Sequence, residues 1–166
     1  MDTALAAAAT AGVTTGKIIL ARYDVRPCLG HDDCASFERC TQDDDAPWIL
    51  ERTFRADAVI LASPVYYYNV TAQFKAFIDR TYFYYKHDRR AAARAVGLII
   101  VAEQEGIEDT LHTMGQFADW AFDVPPERRF VVSGYAARKG EVSQNTSLLA
   151  AAQALGRDLA AALGGG

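Results

Sequence analysis

The sequence predicts an α/β fold in which a parallel sheet is covered by helices on both faces. Two observations carry this. Helical and strand patterns alternate along the chain, which is the arrangement of parallel sheets. Two apolar runs, Asp57–Ala62 and Ala95–Ala102, are continuous rather than alternating, as strands buried on both faces are. With 166 residues the chain makes one ordinary domain, spanning 1–166, and no repeat or linker divides it.

The elements follow in order. Residues 3–11 are alanine-rich and helical by propensity. Gly16 interrupts them, and Lys17–Tyr23 reads as a short strand. Residues 24–44 have no apolar period and form a loop. Asp45-Ala46-Pro47 starts a helix, with an acidic N-cap and proline in the first turn, that runs to about Arg55. The strand at Asp57–Ala62 is bounded by Ser63-Pro64. Val70, Phe74, Phe77 and Ile78 give a helix over 70–81 one apolar face. After the strand at 95–102, Leu111, Met114, Ala118, Ala121 and Phe122 mark a helix over 107–122 that Pro125-Pro126 ends. Phe130–Val132 is the last strand, stopped at Gly134. Leu148, Ala152, Leu155, Leu159 and Leu163 mark the closing helix, with glycines after it.

Composition narrows the function. The net charge of −4 leaves no basic excess to meet phosphates, so nucleic acid is not the partner. The longest clean apolar stretch, Ala95–Ala102, is too short to span a bilayer, so no membrane association is expected. The N-terminus shows no signal-peptide pattern, and three cysteines are an odd number. Both point to a reducing compartment, and a cytoplasmic location is expected. No Ser/His/Asp arrangement, Walker loop or HExxH is present. His87-Asp-Arg-Arg90 reads as an exposed linker rather than a phosphate holder, and His112 as a surface residue.

The most informative stretch runs from Ala62 to Arg80. A buried strand ends in Ser63-Pro64, opens into an aromatic loop and re-enters a helix. Ligands of open α/β sheets bind beyond the carboxyl ends of the strands, which is where this loop lies. Of the 18 aromatics, nine fall between Tyr66 and Tyr85. Phe74 and Phe77 are helix core, and Tyr82–Tyr85 a subunit interface or core cover. Packing alone does not account for Tyr66–Tyr68. A planar ligand needs flat apolar walls with a few polar tips, and tyrosines supply both.

Ser63-Pro64-Val65-Tyr66, followed by Ala72-Gln-x-Lys-Ala-Phe-Ile-Asp-Arg80, resembles the NAD(P)H-dependent FMN reductase and iron–sulfur flavoprotein branch of the flavodoxin-like superfamily. The resemblance continues in Tyr23–Cys28, in Val101–Thr110, and in Gly134-Tyr-Ala with Gly140-Glu-Val142. It implies a flavodoxin-like three-layer parallel sheet, FMN at the switch point, NAD(P)H as co-substrate, and a homodimer or tetramer that completes the flavin site. By that resemblance Ser63, Pro64, Val65, Tyr66, Tyr67 and Asn69 bind the flavin from one side. Glu103, Gln104 and Gly106 approach it from the other. The implied reaction is hydride transfer from NAD(P)H to FMN, and on to a small-molecule acceptor such as a flavin or quinone.

The family begins with a strand and a Ser/Asn/Thr-rich loop that cradles the FMN phosphate at a helix N-terminus. Neither is found among these residues, and 1–11 correspond to the rest of the first helix. The expected sheet therefore lacks the first, central strand and the phosphate loop. A misassigned start codon and a sheet closed over the gap both explain this; the first is favoured. A cofactor-free remnant acting as an interaction module is the reading from a different class.

Cys28-x2-His31-x2-Cys34-x5-Cys40 matches the compact cluster motif of the iron–sulfur flavoproteins, with His31 where the family has cysteine. These four are the candidate metal ligands. An iron–sulfur cluster or zinc would suit such a set, and the cluster would make the protein an electron carrier. The preferred reading is a loop of free thiols.

Overall fold

The computed structural model describes residues 1–164. Its helices are α1 (Asp2–Thr10), α2 (Ala46–Arg55), α3 (Ala72–Arg80), α4 (Tyr82–Lys86), α5 (Ile107–Phe122) and α6 (Thr146–Gly164). Its strands are β1 (Ala58–Pro64), β2 (Ala95–Ala102) and β3 (Arg129–Tyr135), all parallel in the order β1-β2-β3. The architecture is the three-layer flavodoxin-like sandwich that the sequence implies.

The pleat of β2 divides the core in two. Val96, Leu98 and Ile100 point to one face, where they meet rings and aliphatic chains of α2, α3, α4 and α5, among them Phe54, Phe77, Phe117 and Phe122. Ala95 and Ile99 point to the other, against Leu148, Ala152, Leu155 and Leu159 of α6 and Ala4 of α1. That second layer is thin. A Cβ on Gly156 would stand 2.1 Å from the Ala4 carbonyl oxygen, so α1 rests directly on the α6 backbone. Among non-glycine residues, only alanine's small side chain lets two helices come comparably close, which is why this face is alanine-rich.

Three expectations need correction. Lys17–Tyr23 is not a strand. Ile18 and Leu20 do pack against the larger core, but Leu20–Arg22 coils into a 3-10 turn. A strand exists only through a ladder partner, and among the described residues none pairs with this segment. β1 is not buried on both faces: it is an edge strand, with Leu61 and Ser63 buried and its other residues half-buried or exposed. His87 is not a free linker residue. Its ring nitrogens lie 2.8 Å from the Phe83 carbonyl and 2.9 Å from the Phe37 carbonyl, bolting the cysteine loop to α4. β2 and α5 match their expected bounds, and His112 is exposed. No helix of the described residues is long and apolar enough to cross a membrane.

Candidate functional site

The strands are parallel, so the segments leaving β1, β2 and β3 emerge at one end of the sheet. Val65 N donates to Val101 O at 2.9 Å, and Ala136 N to Ala102 O at 2.8 Å, so each pairing runs one residue past its strand. Ser63 is buried, and its hydroxyl faces inward. It donates to Pro64 O (2.8 Å) and accepts from Thr71 N (3.1 Å), fastening both ends of the aromatic loop. The Thr71 hydroxyl in turn caps α3 by accepting from Phe74 N.

The loop closes as a two-residue turn. Tyr66 N donates to Asn69 O (2.8 Å) and Asn69 N to Tyr66 O (3.1 Å), while Tyr67 and Tyr68 hold φ of 50° and 60°. Turns with both central residues in the left-handed region favour Asn-Gly or Asp-Gly. Tyrosine at both positions costs about 1–2 kcal/mol each. Strain of this order persists where the surroundings enforce it, and it marks functional loops. Tyr67 is fully exposed at the tip, and Tyr66 and Tyr68 flank it at 64% and 50%. Asn69 turns its side-chain oxygen to Val70 N (2.8 Å).

The enforcing contact comes from the β2 end. Gly106 has φ +85°, and a Cβ there would lie 2.9 Å from both Tyr68 Cα and Val65 Cγ1. Only glycine lets the two loops press together. The Tyr68 hydroxyl donates to Glu105 Oε1, and this bond raises the tyrosine's pKa. Glu103, Gln104 and Glu105 are exposed, and among the described residues no backbone carbonyl accepts from their amides. The result is an exposed aromatic loop beside an exposed turn whose amides have no backbone acceptor among the described residues.

The structure thus brings Val65 and Tyr68 against Gly106, with Pro64, Tyr66, Tyr67 and Asn69 on the same loop and Glu103 and Gln104 on the adjoining turn; Ser63 is buried at the loop's base. Sequence reasoning missed Tyr68 and Glu105 as a linking pair, and Tyr135, which is 54% exposed at the end of β3. Position beyond a strand end was the available signal for Tyr135. Two open depressions lie elsewhere. One of about 470 Å³ is lined by Pro27, Cys28, Gly30, Asp32, Asp79 and Tyr82. Another, of about 360 Å³, lies between Tyr82, Tyr85 and Trp120.

The cysteine loop is built around Arg80, at the end of α3 and only 2% exposed. Its guanidinium grips Asp44 with both terminal nitrogens, and also donates to Arg26 O (3.0 Å) and Cys40 Sγ (3.2 Å). Asp44 accepts further from Arg26 N (3.0 Å) and Ala46 N (3.2 Å). Burial pushes the Asp44 carboxyl up, but the bonds from Arg80 and these amides outweigh it and hold the carboxyl below its ordinary range. Asp45 does not cap α2 with its side chain; it accepts from Asp24 N instead (2.8 Å). Cys34 is buried, and Cys28 and Cys40 are half-buried; burial, with the neighbouring thiols, raises the Cys34 pKa.

Comparison with known proteins fits this picture. An iron–sulfur flavoprotein of Archaeoglobus fulgidus is 41% identical over 80 residues, which are 48% of this chain and 36% of that protein. One from Methanocaldococcus jannaschii is 41% identical over 78 residues, covering 47% and 40%. The matched part therefore spans about two fifths of these curated relatives. Among solved structures, RosB superposes with a TM-score of 0.71 at 15% identity, covering 98% of this chain and 69% of that one. A flavone reductase gives 0.65 at 17% identity, covering 99% and 57%. The structural likenesses establish the fold. The model of the NADPH-dependent FMN reductase family matches residues 1–137, and the chain belongs to that family.

Proposed function

We propose that the chain binds FMN on the shelf formed by residues 64–69 and 103–106 and acts as a flavin-dependent oxidoreductase. The reaction is hydride transfer from NAD(P)H, with onward delivery to a flavin or quinone acceptor. The observation that carries this reading is the strained Tyr67-Tyr68 turn locked against Gly106. It places flat aromatic surface next to unengaged backbone donors at the carboxyl end of the sheet. Those are the features an isoalloxazine ring requires, namely apolar faces and a polar edge, so the residues present fit the ring of FMN.

Bound FMN supplies the hydride and electron chemistry. The residues here bind, orient and shield. Tyr66 and Tyr67 offer ring faces, and the amides of 103–105 offer donors to carbonyl oxygens at the polar edge. Gly106 and the Tyr68–Glu105 bond keep the two loops in register. No side chain in the shelf is needed as an acid or base.

Replacing Tyr66 and Tyr67 together by alanine should weaken FMN binding about a hundredfold, since each ring contact is worth about 0.5–1.5 kcal/mol beyond its area burial. Circular dichroism should be unchanged, because both side chains are exposed. Flavin-fluorescence titration measures it, and unaltered affinity would return the tyrosines to a purely structural role.

The working form in this reading is a homodimer or tetramer. Phe83 and Tyr84 are buried, so Tyr82 and Tyr85, stacked at 5.7 Å beside Trp120, are the rings of the 82–85 segment left to meet a partner. Light scattering at micromolar concentration should give at least twice the chain mass; a strict monomer would count against it.

A further inference from the structure

The relatives' name raises the question of a metal cluster, and the cysteine loop answers it through its own contacts. A cluster is held by four thiolates turned to a common centre, and a structural zinc by four converging thiolate or imidazole ligands. Here the second position is His31. Its Nδ1 accepts from Asp33 N (3.2 Å), and its ring lies edge-on to Phe37. The sulfur at the fourth position, Cys40, takes a hydrogen bond from the Arg80 guanidinium. That bond engages the Cys40 sulfur in the clamp that closes the loop. Among the described residues, no three His, Cys, Asp or Glu side chains converge in a way that could hold an ion. The donor set does not fit a four-thiolate cluster.

The work a metal would do is already done. A cluster would tie the two ends of the loop together. Arg80 does this by bonding Arg26 O on the incoming side, and Cys40 and Asp44 on the outgoing side. Asp44 returns to Arg26 N, Asp45 N donates to Asp24 O (2.8 Å), and Gln42 Nε2 donates to Pro27 O (3.3 Å). These cross-links join residues 24–27 and 40–45 to each other and to the end of α3. The side chains of the Arg80–Asp44 pair are 1% and 0% exposed.

We propose that the cysteine loop of this chain is a metal-independent element, closed by the Arg80–Asp44 clamp and leaving Cys28, Cys34 and Cys40 as thiols. The test uses the full chain purified without oxygen or chelator from cells supplied with iron and zinc. Iron, acid-labile sulfide and zinc should each fall far below one per chain, and all three thiols should titrate in denaturant. Thermal unfolding should be the same with and without a strong chelator. Loop cleavage under limited proteolysis should rise about a hundredfold in Arg80→Met or Asp44→Asn, because cleavage follows the opening equilibrium that a broken buried pair shifts. Stoichiometric metal, a chelator-induced fall in Tm, or unchanged cleavage in a folded variant would overturn the proposal. If neither variant folds, the metal analysis and chelator comparison on the native chain decide it.

Discussion

Arg80→Ala should lower the unfolding free energy by about 3–5 kcal/mol, the usual cost of leaving one member of a buried ion pair alone. That is a large share of the roughly 5–15 kcal/mol that holds a domain together. The loss arises because the side chain of Asp44 is inaccessible to water and keeps only two amide donors once the guanidinium is gone. The pH dependence separates this from a simple loss of packing. In the native chain the Asp44 carboxyl is held below its ordinary value of 3.8. A depressed carboxyl contributes stability that is fully present above the unfolded value and disappears as pH falls through the folded one. Without Arg80, burial favours the protonated acid, so the variant's penalty shrinks in acid. Urea unfolding at about pH 7 and at about pH 3.5 should therefore show the two proteins converging. A constant gap would mean that Arg80 acts through its carbon stem alone.

Gly156→Val should cost about 3 kcal/mol, at the upper end of what overpacking does. The obstacle is main chain, because the added carbon would meet the Ala4 carbonyl, which has no rotamer to turn away. Helix α1 must lift from α6, exposing Ala4 and Ala8 while leaving the ring-filled face intact. Hydrogen exchange should show lost protection confined to α1 and the middle of α6. Uniform loss across all three layers would show that the two faces fold as one unit.

The legible parts of the fold were those set by local pattern. Helix α5 and strand β2 follow from period and length, and the start of α2 follows from Asp45-Ala46-Pro47. What failed was whatever depends on neighbours. Lys17–Tyr23 has the residues of a strand, but strand formation is decided by a partner that composition does not reveal. β1 has the apolar run of an interior strand and stands at an edge. At the candidate site, the place of the Ser63–Asn69 stretch at the end of β1 was legible, because it follows an apolar run and is crowded with rings. The role of Gly106 was not, since a glycine's reason lies in what approaches it, here Tyr68 and Val65. Arg80 was visible only as part of a motif. Nothing local says that an arginine in a helix's last turn is buried and grips an aspartate 36 residues upstream.

The edge position of β1 bears on how the molecule behaves in company. From Ala58 to Pro64 this strand carries no charge and no bulge, and one row of its peptide groups has no ladder partner among the described strands. Edges are ordinarily made uninviting with lysine, a twist or a cover; β3, at the opposite side, begins with arginine and carries serine and glycine near its end. The two sides of the sheet are therefore unequal as templates. Within the described sheet, a further strand finds its place along β1 rather than along β3.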